Sequence, residues 1–197
     1  MDAELLRRVQ ADDLDAFEEF FARYRNPIFR TAYGLTGDRQ AAEEILQDTF
    51  ARAYRHRHTF HRNVSPLPWL HRVSLNLCYS RLSRRRLDAT PIDETAEHTV
   101  PDDTPLPAEH AEQAELRQIV REGIAALPEK HQSVVVLYYL QRLSLAETAE
   151  VLGIQLGTVK SRLHYALRSL RVQLEGDRRF GGAYMPAKND EVEVTPT

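Results

Sequence analysis

The sequence predicts an all-α protein of two small helical domains, and three observations point there. Apolar residues recur at helical spacing along most of the chain, and no stretch alternates at period two over a useful length. A third observation is an acidic, proline-rich segment, 87–111, that divides the 197 residues into two bodies, 1–86 and 112–175, with a tail over 176–197.

In the first body, Asp12 or Asp13 can cap a helix through Tyr24, with Leu14, Phe17, Phe20, Phe21 and Tyr24 on one apolar face. Asn26-Pro27 is expected to break that helix, because proline lacks the amide hydrogen and crowds the preceding turn. A second segment carries Ile28, Phe29, Ala32, Tyr33 and Leu35 up to the turn at Thr36-Gly37-Asp38. The third helix covers about 39–55, with Ala42, Ile45, Leu46, Thr49, Phe50 and Ala53 on one side. A polar loop follows, and a fourth helix runs over about 68–86.

The second body opens with a helix over about 108–126, expected to turn Leu116, Ile119, Val120 and Ile124 inward. Leu127-Pro128 ends it, and Pro128 suits the first turn of the next helix, which carries the run Val134 to Leu140. Three consecutive valines would tolerate a strand. Helix is preferred because Pro-Glu-Lys opens one well and no second strand is available to pair.

Residues 144–171 read SLAETAEVLGIQLGTVKSRLHYALRSLR. Ser144 with Glu147 three residues later is a capping box. Ala146, Thr148, Ala149 and Leu152 put small residues on one face, Gly153 stands where a left-handed helix end is wanted, and Ile154 is a buried turn residue. A longer helix follows from about Leu156, with Val159, Leu163, Ala166, Leu167 and Leu170 inward. Short helix, glycine turn and longer helix form a helix-turn-helix, whose second helix enters the DNA major groove. Off its apolar stripe lie Thr158, Lys160, Ser161, Arg162, His164, Tyr165 and Arg168, which carry donors that phosphates and base edges accept. Gly153, Gly157, Lys160 and Ser161 do not make a phosphate-binding loop, since its glycines need four residues between them and the lysine directly after.

Charge agrees with a polyanionic partner. Residues 1–86 hold fifteen Lys/Arg against eleven Asp/Glu, and 113–175 hold eight against six. Residues 87–112 hold eight acids and no Lys/Arg, so two basic bodies flank an acidic connector within a chain of net charge −3. The longest apolar run is far below the ~20 residues of a membrane span. The N-terminus has no signal-peptide core, and the single cysteine, Cys78, allows no internal disulfide. A cytoplasmic protein without membrane insertion is expected. His56, His58 and His61 lack a neighbouring carboxylate, so no metal and no cofactor is expected.

GTVKSRL (157–163) after the SLAETAEVLG helix, together with QDTFARAYR (47–55) and PWLHRVSLNLCYSRLSRRR (68–86), resembles the bacterial sigma-70 family, and the short two-domain form resembles its extracytoplasmic-function (ECF) subgroup. The resemblance covers about 10–86 and 112–174. It implies a sigma-2 domain that binds core RNA polymerase and the −10 element, and a sigma-4 helix-turn-helix domain that binds the −35 element. It places the core-binding surface, which docks on the β′ clamp helices, at Glu44, Gln47, Asp48 and Phe50. The −10 contacts fall on Arg62 and Asn63 of the loop and on Trp69, Arg72, Asn76, Arg84 and Arg85 of the next helix. Arginines interleaved with Trp69 and Tyr79 suit single-stranded DNA, which is held by base stacking and backbone charge. The β flap is the implied polymerase contact of the second domain, and an anti-sigma factor is a further implied partner. Many members have arginine where this chain has Tyr165 and proline or serine where it has Gln155, which bears on −35 preference rather than on fold. A free-standing regulator would share the helix-turn-helix but have no use for the 47–55 and 68–86 motifs. A DNA-acting enzyme would need clustered carboxylates in a pocket, and the acids here gather in the connector.

Overall fold

Aromatic side chains at helical spacing organise the N-terminal half of the chain. The computed structural model describes residues 2–88 and 108–177, and the expected linker and C-terminal tail lie outside the described residues. Among the described residues the regular structure is entirely helical. Helix α1 (Asp2–Gln10) precedes α2 (Leu14–Thr36), α3 (Arg39–Arg55), a 3₁₀ turn (Arg57–Thr59) and α4 (Leu67–Asp88). The C-terminal part contains α5 (Ala108–Ala125), α6 (Glu129–Val135) running into a wide π turn (Val136–Leu140), α7 (Leu145–Leu152) and α8 (Leu156–Gly176).

The break expected at Pro27 does not occur, because α2 runs straight through it. An internal proline costs ~3 kcal/mol, but Phe20, Tyr24, Ile28, Thr31, Ala32 and Leu35 form one buried stripe on both sides of it. Burial of that stripe at ~1.5–3 kcal/mol per large side chain outweighs the cost. The remote Gln141 also supports this turn: with its amide oriented to satisfy both ends, it donates to the Pro27 carbonyl at 3.2 Å and accepts from the Thr31 amide at 3.1 Å. Helix α1 was not anticipated. Its Leu5, Leu6 and Val9 are buried against the aromatic cluster of Phe20, Tyr24 and Phe50.

Asp38 caps α3 by accepting from the Ala41 amide at 2.9 Å, and Gly37 ends α2 at φ 66°, a value that favours glycine. The valine run is helical, as its opening Pro-Glu-Lys and the lack of a partner strand require. Its last turn widens and leaves Tyr139 and Leu140 exposed. Two residues expected inward are outward instead: Leu14 and Leu116 are 66% and 45% exposed. Both sit in the first half of their helices, at the edge of the stripe, where no other element covers them. Ala146 is likewise exposed, and Val151 takes the inward place beside Thr148 and Ala149.

Two apolar clusters hold the molecule. One belongs to the N-terminal half and is built from α1 to α4 around Phe20, Ile28, Phe50 and Leu70. The other is shared: Ala32, Leu35, Ile45, Leu75 and Cys78 pack with Ile124, Leu127, Val134–Leu137, Val151, Val159, Leu163 and Leu170. The two halves are therefore joined by a common core and not only by the connecting chain.

Candidate nucleic-acid and polymerase interfaces

The helix-turn-helix is formed by the local chemistry of its sequence. The Ser144 hydroxyl accepts from the Glu147 amide at 3.2 Å, and the Glu147 carboxylate accepts from the Ser144 amide at 2.8 Å. The Ser144 hydroxyl also donates to the Glu147 carboxylate at 2.7 Å, and this bond, with that of the Ser144 amide, holds the carboxyl below its ordinary range. Gly153 ends α7 at φ 64°, and Ile154 packs half-buried beneath the turn. On α8, Val159, Leu163, Ala166 and Leu170 face the core. Lys160, Ser161, His164, Tyr165 and Arg168 are exposed, and Thr158 and Arg162 are half-buried beside them. The His164 and Tyr165 rings meet edge to face at 5.6 Å, and Tyr165 is 57% exposed. Such an apolar aromatic face in water has little reason to stay uncovered. The Gln155 side chain makes no cap, so it does not cover the first amides of α8.

The loop before α4 is positioned by α1, whose contribution no local pattern of the sequence announces. Gln10 donates to the carbonyls of Arg57 at 3.2 Å and Phe60 at 2.7 Å, and it accepts from Arg62 Nε at 3.0 Å. Arg57 donates to Asp12 Oδ1 at 2.6 Å and lies 4.2 Å over the Tyr54 ring. Arg62 and Asn63 are thus exposed on a tethered loop. A glutamine at the end of an amphipathic Leu-Leu-x-x-Val stretch was the signal available. Trp69 is half-buried, edge to face with Phe60 at 5.1 Å and beside His56 at 6.0 Å. It is an anchor for the loop with one side still accessible.

Along α4, Arg72, Asn76 and Arg84 are exposed, and the Arg85 side chain lies outside the described residues. Arg72 is engaged by the other half of the chain: Nε donates to the Val151 carbonyl at 2.9 Å and Nη2 to the Glu150 carbonyl at 2.5 Å. His71, one position earlier, is buried. The Thr31 hydroxyl donates to the Pro27 carbonyl at 3.1 Å, so its lone pair accepts from His71 Nδ1 at 3.0 Å, and Nε2 keeps a bare lone pair. Burial pushes the His71 pKa down to about 4, so the ring is neutral near pH 7.

The acidic face of α3 carries Glu44, Gln47 and Asp48, all exposed. Glu44 is paired with Arg81 of α4. Asp48, Arg52, Arg81 and Arg84 line the adjoining groove of about 340 Å³. Phe50 does not belong to this face. It is 3% exposed and meets the rings of Phe21 at 4.7 Å and Phe20 at 5.9 Å edge to face, so it supports the helix from beneath and no partner can touch it. Its place in the apolar stripe was readable, but one face cannot both fill the core and meet a partner.

Comparison with known proteins agrees with this organisation. Residues 20–87 match Sigma-70 region 2, and residues 123–172 match Sigma-70, region 4. The chain is 34% identical over 176 residues to the ECF RNA polymerase sigma factor SigW of Bacillus subtilis, covering 86% of this chain and 94% of SigW. The fold is similar to that of CnrH in its complex with the cytosolic domain of CnrY, with a TM-score of 0.66 at 21% identity, covering 89% of this chain and 98% of that one. It is also similar to the sigma factor RpoE of Bartonella quintana, solved with the anti-sigma factor NepR, at a TM-score of 0.62 and 22% identity over 82% and 98% of the two chains. Region 2 runs from within α2 through the basic-aromatic helix α4, and region 4 contains the helix-turn-helix: the chain belongs to the ECF family of RNA polymerase sigma factors.

Proposed function

We propose that this sigma factor directs core RNA polymerase to promoters by reading the −10 element with the 62–65 loop and α4, and the −35 element with α8. The observation that carries the reading is the polar, exposed face of α8 on a capped helix-turn-helix, in one chain with a basic-aromatic α4. The working division is 1–86 for the first domain, 87–111 for the linker, 112–175 for the second domain and 176–197 for the tail. The factor acts where RNA polymerase acts, in the cytoplasm. Among the described residues no helix is long and apolar enough to cross a membrane. It is a specificity factor and not an enzyme. A neighbour in fold is held by an anti-sigma factor, and an inhibitor of that kind is proposed here too. The free-standing regulator is disfavoured because it gives the region 2 match over 20–87 nothing to do.

Reconstituted transcription tests the reading: core polymerase with this chain initiates at specific promoters, whereas the chain alone shifts promoter DNA weakly. Strong sequence-specific shifts without core enzyme would support a regulator instead. On the docking face, Asp48→Lys reverses an exposed charge without touching the core, so a loss of core affinity of ~10-fold or more is expected with native helicity. Unchanged co-purification with core would remove α3 from the interface.

Base readers and phosphate contacts on α8 separate in a library randomised across the −35 element. Lys160→Ala or His164→Ala is expected to shift promoter rank order by ~1–3 kcal/mol at one position. Arg171→Ala, on the exposed side farther along α8, is expected to lower all promoters about equally. An unchanged rank order in every variant would place specificity elsewhere.

A further inference from the structure

Gln10 spends both of its amide hydrogens on the loop that precedes α4. One goes from Nε2 to the Arg57 carbonyl at 3.2 Å and the other to the Phe60 carbonyl at 2.7 Å, while Oε1 accepts from Arg62 Nε at 3.0 Å. The amide fits in this orientation alone. The reverse would set its oxygen against two carbonyls and its NH2 group against a guanidinium N–H. Asp12, two residues on, makes a second tie. It adopts φ 64°, a left-handed conformation that aspartate tolerates better than most residues, and its carboxylate accepts from Arg57 Nε at 2.6 Å. The 57–60 backbone and the Arg62 side chain are therefore both fastened to the end of α1 and the turn after it.

These bonds are not what holds α1 in place. Leu5, Leu6 and Val9 are buried and seat the helix on the aromatic cluster. Burial of three apolar side chains is the larger contribution, and a half-buried hydrogen bond adds only modestly to it. Gln10 acts instead on direction. A guanidinium carries five N–H donors in a rigid fork, and tying Nε leaves the end-on pair formed by the two terminal amino groups. A side-on approach, which uses Nε with one terminal group, is blocked. Arg62 is exposed, so the end-on pair is accessible to two acceptors on one base edge.

We propose that Gln10 is a positioning residue for −10 recognition: through the 57–60 backbone and Arg62 Nε it selects the edge that Arg62 offers, and so sets base preference at one position of the −10 strand. Gln10 lies outside residues 20–87 that match region 2, so a helix beyond the matched segment takes part in its specificity. The proposal rests on the reading of the 62–65 loop as a −10 contact and adds what orients that contact.

The test is transcription by holoenzyme, core polymerase with the full-length chain, from a promoter library randomised across the −10 element. Arg62→Ala should lose discrimination at one position. Gln10→Ala should lose it at the same position by ~10-fold and leave the −35 rank order unchanged. Two further variants divide the roles of the amide. Gln10→Glu keeps an acceptor for Arg62 and should retain most of the discrimination. Gln10→Lys keeps a donor for the carbonyls but repels the guanidinium, so it should behave as Gln10→Ala does. The Gln10→Ala, Arg62→Ala double variant should be no worse than Arg62→Ala, because the first residue acts through the second. Thermal unfolding of every variant should stay near that of the parent, since neither side chain belongs to an apolar cluster. An unchanged −10 rank order in Gln10→Ala and Gln10→Lys would overturn the proposal. So would an equal loss at all promoters, which is what simple loosening of the loop gives. A loss in Gln10→Glu as large as in Gln10→Lys would overturn it too, since the acceptor for Arg62 would then be immaterial. If Arg62→Ala and Asn63→Ala both leave the −10 rank order unchanged, the reading of the loop fails and the proposal with it. If Arg62→Ala changes the order while Gln10→Ala does not, the reading stands and only the role of Gln10 fails.

Discussion

Phe20→Ala is expected to destabilise the N-terminal half by ~3–5 kcal/mol, the range for emptying an aromatic site in a packed core. Phe20 is fully buried, and its ring meets those of Tyr24 at 4.9 Å, Phe17 at 5.8 Å, Phe50 at 5.9 Å and Phe60 at 6.2 Å. Those partners sit on α2, on α3 beneath the acidic face and on the loop before α4. One deletion therefore loosens both candidate interfaces. Since a domain is stable by only ~5–15 kcal/mol, holoenzyme formation should fall with it at growth temperature. Urea unfolding followed by fluorescence reads this locally, because Trp69, the one tryptophan of the chain, stands against Phe60. The exposed Leu14→Ala serves as control and should change stability by less than ~0.5 kcal/mol. A loss below ~1.5 kcal/mol for Phe20→Ala would mean that the aromatic cluster is not what holds this half.

Acidification is expected to cost about 2 kcal/mol between pH 7 and pH 5 through His71 alone. Its folded-state pKa is lowered by burial to about 4, whereas the ordinary value is 6.5. Between those values the unfolded chain binds more protons than the folded one, so stability falls as pH drops through this window. Among the described residues the ring's hydrogen-bond partner is the Thr31 hydroxyl, which accepts, and Nε2 has none. That hydroxyl is neutral, so α2 places no anion against the ring to favour its charged form, and burial governs the shift. His71→Phe retains the apolar volume and removes the titration, so its unfolding free energy should vary less with pH by about that amount. Equal pH dependence in the two proteins would show that the histidine is reached by water in the native state.

Much of the helical content and the helix-turn-helix could be read directly. Ser144 with Glu147, Gly153 and the stripe from Val159 to Leu170 act within a few residues of one another, and local spacing suffices to see them. Helix α3 between its Asp38 cap and Arg55 was legible for the same reason. Helix α1 has Leu5, Leu6 and Val9 at helical spacing, but a stretch this short carries a weak periodic signal, and its burial against Phe20 and Phe50 makes it stable. The role of Gln10 in holding Arg62 depends on a contact with the loop that no local pattern encodes.

What the sequence determined by itself is therefore the class of fold, the region 2 and region 4 motifs and the family, since caps, periodicity and turn glycines are local and additive. What the tertiary structure decided is which side of each stripe is covered and by what. Phe50 is core rather than interface, Leu14 and Leu116 are exposed, and Pro27 sits inside a continuous helix. Burial along the stripe of α2 overcomes the proline, and Gln141 of the other half satisfies polar groups beside it. Arg72 likewise reads from sequence as a free cation, and only the packing of α7 against α4 gives it two carbonyls to bind. A residue's periodicity states that a face will be buried, but its partner is chosen by the long-range packing that minimises exposed apolar surface and unsatisfied polar groups together.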